Sequence, residues 1–365
     1  MIHSLSRAAT RLSLAIKIVA GSVVASVLIW MMWSTGRADA GSLLAAPRAR
    51  CVERAGWLTG PRSASRTDLN WNVHGADLGH PIVHGDDLYL VFGDTWGRTG
   101  HEGADWRSNT IARVSSPDPS DEFVIADMVT DETGEAAELL PSMKVAGIEK
   151  TVIPTYGIGV GEEMVLHYMS VRRWVSPGRW EVGHAGFASS VDSGVTWTVH
   201  DERLDGEGNF AQVAMVSLDD HVLLYGIPAG RFGGVQLARA RPAELTRPST
   251  YEYWDGREWT GDPGAAVDIV PAPVGELSVQ WSETLDRWLM MYLDETLRAV
   301  VVRSAPDPVG QWSGPRVVTT DRQYPLSYAP YFIPGPERDG QAYFTMSQFG
   351  PYQVSLMRLD LACLA

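Results

Sequence analysis

Two aspartates stand symmetrically about one turn, and paired carboxylates are the side chains that acid–base and glycosyl-transfer chemistry needs. One arm reads His74-Gly75-Ala76-Asp77-Leu78-Gly79-His80-Pro81-Ile82-Val83, and the other Leu88-Tyr89-Leu90-Val91-Phe92-Gly93-Asp94-Thr95-Trp96, joined by a Gly85-Asp86-Asp87 turn. Counted outward from the turn, Asp77 and Asp94 are equally far along their arms. Simple register therefore opposes them across a hairpin, with Cβ atoms about 5 Å apart. Like charges so placed destabilise a sheet, and mutual repulsion raises one pKa, leaving one carboxyl protonated while the other is ionised. Glycoside hydrolysis uses such a pair, one as general acid and the other as nucleophile or base, and a 5 Å spacing would favour retention of configuration. Other readings stay open on spacing alone. Asp-Leu-Gly and Gly-Asp-Thr also suit turns, and aspartate pairs also bind calcium.

Glu276 is a third candidate for a catalytic or substrate-binding carboxylate, because it begins a β-branched and aromatic run, Leu277-Ser278-Val279-Gln280-Trp281. The alternative is a rim residue paired with an arginine. Trp96, Tyr156, Trp281, Tyr328 and Tyr331, with Trp106, offer flat faces for sugar rings, while His74, His101, Asn109 and Gln280 offer hydrogen bonds to hydroxyls. Each also has a structural reading, since aromatics in all-β folds mostly pack between layers. The histidines lack metal-ligand spacing, so no metal site and no cofactor is expected, with a structural calcium left open. No Gly-x-Ser-x-Gly elbow, Walker loop or dinucleotide fingerprint is present.

The elements that must position these residues are short strands. After residue 50 no long amphipathic helical pattern occurs, and β-branched and aromatic runs alternate with Gly, Pro and Asp turns. Five runs resemble one another: Thr110–Val114, Ala185–Ser189, Val235–Arg239, Ala299–Arg303 and Gln353–Met357. Several are preceded by a hairpin strand, as in Val222-Leu223-Leu224-Tyr225, and followed by a tryptophan, Trp197, Trp254 or Trp259, and Trp312. A period of roughly 50 to 75 residues fits one blade with its loops, so the chain is expected to be an all-β, five-bladed β-propeller. Ser190-Val191-Asp192-Ser193-Gly194-Val195-Thr196-Trp197 fits the Asp-box pattern, in which Asp caps turn amides and Trp packs between blades, a structural role.

These motifs carry a resemblance. His-Gly-Ala-Asp-Leu-Gly at 74–79 followed by Phe-Gly-Asp-Thr-Trp at 92–96 resembles the first blade of glycoside hydrolase family 183, endo-D-arabinanases of actinobacteria and relatives, formerly a propeller family without known function. Further similar stretches are Glu276–Trp281, Arg303-Ser304-Ala305-Pro306 leading to Gly310-Gln311-Trp312-Ser313, and Tyr328-Ala329-Pro330-Tyr331, together spanning most of residues 70–360. The first-blade motif is the specific one. The resemblance implies endo-acting cleavage of α-linked D-arabinofuranose chains, as in arabinogalactan and lipoarabinomannan, with Asp77 and Asp94 at the family's paired acidic positions.

The ends of the chain place this chemistry outside the cytoplasm. Arg7, Arg11 and Lys17 precede an apolar run from Ile18 to Trp33, and Ala38-Asp39-Ala40 fits a small-x-small cleavage site. Residues 1–40 are thus expected to be a signal peptide or signal anchor, 41–50 a linker and 51–365 one domain, secreted or held at the cell envelope, with membrane contact only through the N-terminal segment. The two cysteines, Cys51 and Cys363, bracket that domain and are expected to pair. The 365-residue chain has a formal charge of -14 and no basic stripe, which excludes nucleic acid as a partner. A polysaccharide substrate and a monomeric protein are expected. Two rival readings are a non-catalytic, lectin-like propeller and a sialidase. The second is weak, because Ile153-Pro154, Ile227-Pro228 and Ile333-Pro334 lack the preceding arginine of the sialidase motif.

Overall fold

The computed structural model describes residues 51–365. The expected signal or anchor segment and linker lie outside the described residues. The chain enters as β1 (Val52–Trp57), which pairs only with the last strand. Blade one is β2 (Leu78–His84), β3 (Asp87–Phe92), β4 (Thr110–Val114) and β5 (Ile125–Met128). Blade two is β6 (Thr151–Val160), β7 (Glu163–Ser176), β8 (Arg179–Ser190) and β9 (Thr198–Asp205). Blade three holds β10 (Gln212–Leu218), β11 (His221–Ile227), β12 (Gly233–Ala240), β13 (Glu252–Trp254) and β14 (Trp259–Thr260), with β15 (Val270–Val274) also pairing with β12. Blade four is β16 (Leu277–Ser282), β17 (Arg287–Asp294), β18 (Ala299–Ala305) and β19 (Arg316–Thr320). Blade five is β20 (Ser327–Phe332), β21 (Gln341–Gln348) and β22 (Gln353–Asp360), completed by β1.

Neighbouring first strands touch in a closed ring, β2 to β6, β6 to β10, β10 to β16, β16 to β20 and β20 back to β2. The five-bladed propeller expected from the repeats is therefore the observed fold. All five repeated runs are the third strand of their blade: β4, β8, β12, β18 and β22. Second strands are continuously apolar because both faces are covered by neighbouring blades: Leu88 to Phe92, Val222 to Ile227 and Leu289 to Leu293 are all buried. The Asp-box behaves as a fold marker. Thr196 donates to Asp192 from its amide at 2.9 Å and its hydroxyl at 2.6 Å. Gly194 takes φ +84°, and Trp197 packs on the cluster containing Ile82, Val91, Ile111 and Leu166 from blades one and two.

Closure is both hydrogen-bonded and covalent. β1 runs antiparallel to β22, with Val52 opposite Leu359. Cys51 and Cys363 form a disulfide with Cα atoms 5.9 Å apart, a bond that persists in oxidising compartments. Among the described residues no helix is long and apolar enough to cross a membrane.

Candidate functional site

In each blade the first strand begins, the second ends and the third begins at one end of the propeller. Asp77 stands just before β2, Asp94 two residues after β3, Thr151 at the start of β6 and Glu276 just before β16. Arg231 lies two residues before β12, Tyr328 is the second residue of β20, and Tyr352 stands just before β22. Strand direction alone thus brings these side chains to one mouth.

The approach of the two aspartates differs from simple register. From His84 opposite Asp87 to His80 opposite Val91 the hairpin pairs as expected, but Leu78 lies opposite Phe92. Gly79 is an extra residue, a β-bulge of the kind that re-aims side chains beside functional sites. Leu78 (φ +63°) and Gly79 (φ +80°) both adopt left-handed backbone there, a strained state for leucine. The Gly93 amide consequently donates to the Asp77 carbonyl at 3.1 Å, so Asp77 faces Gly93 and not Asp94. A Cβ on Gly93 would lie 2.5 Å from Asp77 Oδ1: only glycine leaves room for the carboxyl. The carboxylates share the mouth without being a directly opposed pair, and the inference of retention from a 5 Å spacing loses its basis.

Their environments separate them. Half-buried Asp77 accepts at Oδ2 from the hydroxyls of Tyr328 and Tyr352, each at 2.9 Å. Its Oδ1 is enclosed and has no partner. Burial first, and then the negative charge of Asp94, push Asp77 up to about 7 against the two phenol donors, with Glu276 adding to the rise. Asp94 is buried and accepts at Oδ1 from Trp106 Nε1 at 2.9 Å and Thr151 Oγ1 at 2.7 Å. Burial raises it to about 6, while those donors and the Lys144 ammonium favour its ionised form. Lys144 sits 4.2 Å from the centre of the Trp106 ring.

Glu276 is buried, and Arg231 grips both its oxygens, Nε at 3.1 and 3.0 Å and Nη2 at 2.8 Å, while also reaching Glu295 at 3.3 Å. Burial opposes the charge of Arg231, but the two glutamates more than restore it. Its guanidinium lies 4.8 Å from the Tyr328 ring centre, so a chain of contacts joins Glu276, Arg231, Tyr328 and Asp77.

The remaining expected residues divide. Trp96 is stacked on Tyr352 at 3.6 Å, with His101 edge-on at 4.4 Å; it supports the phenol that holds Asp77, so one face is already occupied. Burial lowers the His101 pKa, Glu102 opposing. Tyr156 and Tyr331 lie deeper, around fully buried His80, at 5.7 and 5.8 Å between ring centres. His74 ties loops together, its amide donating to Trp96 and its carbonyl accepting from Gln353 Nε2. Asn109 is not at the mouth surface. It is fully buried, donating to the Leu140 and Val152 carbonyls and accepting from the Leu139 and Leu140 amides, so all its valences are structural. Gln280 and Trp281 are at the wrong end, because β16 has carried the chain four or five residues away from Glu276, and Trp281 packs against Trp288. Among the described residues no group of three or more His, Cys, Asp or Glu side chains is placed to hold a metal ion.

Sequence reasoning missed Thr151, Arg231 and Tyr352. A signal existed for Tyr352, which immediately precedes the third-strand repeat Gln353–Met357, the position that the repeat sends to the mouth.

Known proteins share this architecture. A putative hydrolase from Bacteroides ovatus superimposes with a TM-score of 0.58 at 15% identity, covering 83% of this chain and 88% of that one. An exo-β-1,3-galactanase from Phanerochaete chrysosporium, solved with β-1,3-galactotriose, gives 0.53 at 11% identity over 84% of this chain and 63% of that one. At such identities the likeness is one of fold. In sequence, the notoamide biosynthesis cluster protein J of Aspergillus sp. is 26% identical over 300 residues, 76% of this chain and 80% of that protein. Residues 62–358, from just after β1 to the closing strand, match one family throughout, and the chain belongs to that family, described as a domain of unknown function (DUF4185).

Proposed function

We propose that the protein is an exported glycoside hydrolase that cuts α-D-arabinofuranosyl linkages within cell-wall arabinan, with Asp77 and Asp94 as its catalytic carboxylates. The observation that carries this reading is the pair itself: two carboxyls at one mouth, both raised toward neutrality, each held by a different set of donors. Asp77, at about 7, holds its proton to higher pH than Asp94, at about 6. Asp77 is therefore the general acid. Asp94, at about 6, is the ionised partner, acting as nucleophile or as the base that activates water. The bond from anomeric carbon to leaving oxygen breaks, the leaving oxygen takes the Asp77 proton, and water supplies the hydroxyl at the anomeric carbon. Glu276 acts through charge, raising Asp77 while its own oxygens stay with Arg231.

The glycan assignment rests on the first-blade resemblance to glycoside hydrolase family 183. The likeness in fold to a galactanase solved with β-1,3-galactotriose supports sugar chemistry on this fold. Overall similarity does not fix the substrate, since the Aspergillus relative is named for a notoamide cluster. The disulfide supports an extracytoplasmic location. The test is incubation of the purified protein with mycobacterial arabinogalactan and analysis of released sugars. Arabino-oligosaccharides are expected. Binding without release would establish the lectin-like reading in its place.

A further inference from the structure

The hairpin of β7 and β8 outgrows its blade. β6 pairs with β7 only as far as Thr151 opposite Val171, and β9 pairs with β8 only as far as Asp205 opposite His184. Beyond those pairs, residues 172–183 form a two-stranded ribbon that turns at Pro177-Gly178. It projects from the end of the propeller where Asp77 and Asp94 lie, because β7 ends and β8 begins there.

The ribbon is anchored against the site. The Arg231 amide donates to the Gly178 carbonyl at 3.0 Å, and a Cβ on Gly230 would lie 2.8 Å from the same oxygen. Arg231 is the residue that grips Glu276, so ribbon tip and carboxylate mouth share a side chain. Trp174 and Trp180 are paired across the ribbon, rings edge to face at 5.7 Å. The Trp180 ring centre is 5.7 Å from the Arg231 guanidinium carbon, and its Nε1 is enclosed with no acceptor. Trp174 is 41% exposed and Phe232, beside the tip, 38%.

A two-stranded ribbon beyond the end of its sheet is marginal in water, and folding gives it no reason to carry an exposed indole such as Trp174. Trp180 is half-buried against the core, whereas Trp174 on the other strand stands out into solvent. An exposed flat aromatic face, braced from behind by a second indole, is what the apolar side of a pyranose or furanose ring recognises. The continuity of these rings with the mouth through Arg231 and Tyr328 identifies the occupant as another ring of the glycan whose linkage lies at Asp77 and Asp94. We infer that the Trp174–Trp180 ribbon is a distal glycan subsite, which stacks a sugar ring away from the scissile bond and makes the protein select long chains over short ones. This rests on the hydrolase reading.

The test compares wild type, Trp174→Ala, Trp180→Ala and the conservative Trp180→Phe on arabinogalactan and on arabino-oligosaccharides of increasing length. For the alanine variants, KM on the polymer should rise about tenfold, the loss of one stacked ring, with kcat within about twofold. KM on the shortest cleavable oligosaccharide should not change, and Trp180→Phe should recover most of the affinity. Trp174 lies on the exposed side of the pair, so Trp174→Ala serves if Trp180→Ala does not fold. Cleavage by wild type with unchanged polymer KM and product lengths in the variants would overturn the subsite alone. Failure of wild type to cleave any of these glycans would overturn the hydrolase reading, and the subsite with it.

Discussion

Asp77 and Asp94 are the same side chain placed among different donors, and the donors decide what each does. Two phenols on one oxygen only partly offset the burial and like charge that raise Asp77. An indole, a threonine hydroxyl and the nearby Lys144 hold Asp94 lower. The pH dependence follows with its sign. Activity should fall as pH drops through about 6, where Asp94 gains a proton, and fall again as pH rises through about 7, where Asp77 loses one. A pH–rate profile should therefore be a narrow bell, and a plateau extending to pH 9 would contradict the assignment. Tyr352 supplies a second, independent check. Its hydroxyl favours ionised Asp77, so Tyr352→Phe should move the alkaline limb upward by about one pH unit, the worth of one hydrogen bond to a charged group. The aspartates were legible in the sequence because their types and their symmetry about a turn are local facts. Tyr352 was not, because it reaches Asp77 only when the last blade closes against the first, 275 residues apart.

At the scale of elements, one bulge and one ion pair set the geometry. Alternation and turn position correctly give the β2–β3 hairpin, but a bulge at Gly79 depends on left-handed backbone at Leu78 and Gly79, which pattern does not announce. The same limit misplaced Gln280 and Trp281: periodicity tells which face of a strand a residue occupies, and distance along the strand decides which end of the propeller it reaches. Glu276 stands at the right end, and of the two expectations, a catalytic or substrate-binding carboxylate or a partner of an arginine, the arginine pairing is observed. With half-buried Arg231 held against it, its side chain 17% exposed, Glu276→Gln removes most of that cation's compensation, leaving Glu295 at 3.3 Å. Loss of about 3 kcal/mol of stability is expected, at the low end for breaking a buried pair. Urea denaturation would measure it, and an unchanged midpoint would show that Arg231 finds its counter-charge elsewhere.

For the whole molecule, repetition made the fold readable. Five similar runs marked five third strands, and cysteines at the two ends marked the closure before any coordinate did. What repetition could not supply was contact between blades, which is where Thr151 meets Asp94 and Tyr328 meets Asp77. The disulfide closes a loop spanning 312 residues, and loop entropy gives it up to about 5 kcal/mol. Cys51→Ser should lower the melting temperature clearly while leaving KM intact. Retained stability would mean that the β1–β22 pairing alone suffices.

As proposed, Asp77 and Asp94 together break a glycosidic bond. The most direct measurement of this is turnover and binding of arabinogalactan by wild type, Asp77→Asn and Asp94→Asn in parallel. Each variant should bind within a few-fold of wild type while its turnover drops by about 10² to 10⁴. Turnover in both variants equal to that of wild type, with binding unchanged, would contradict it.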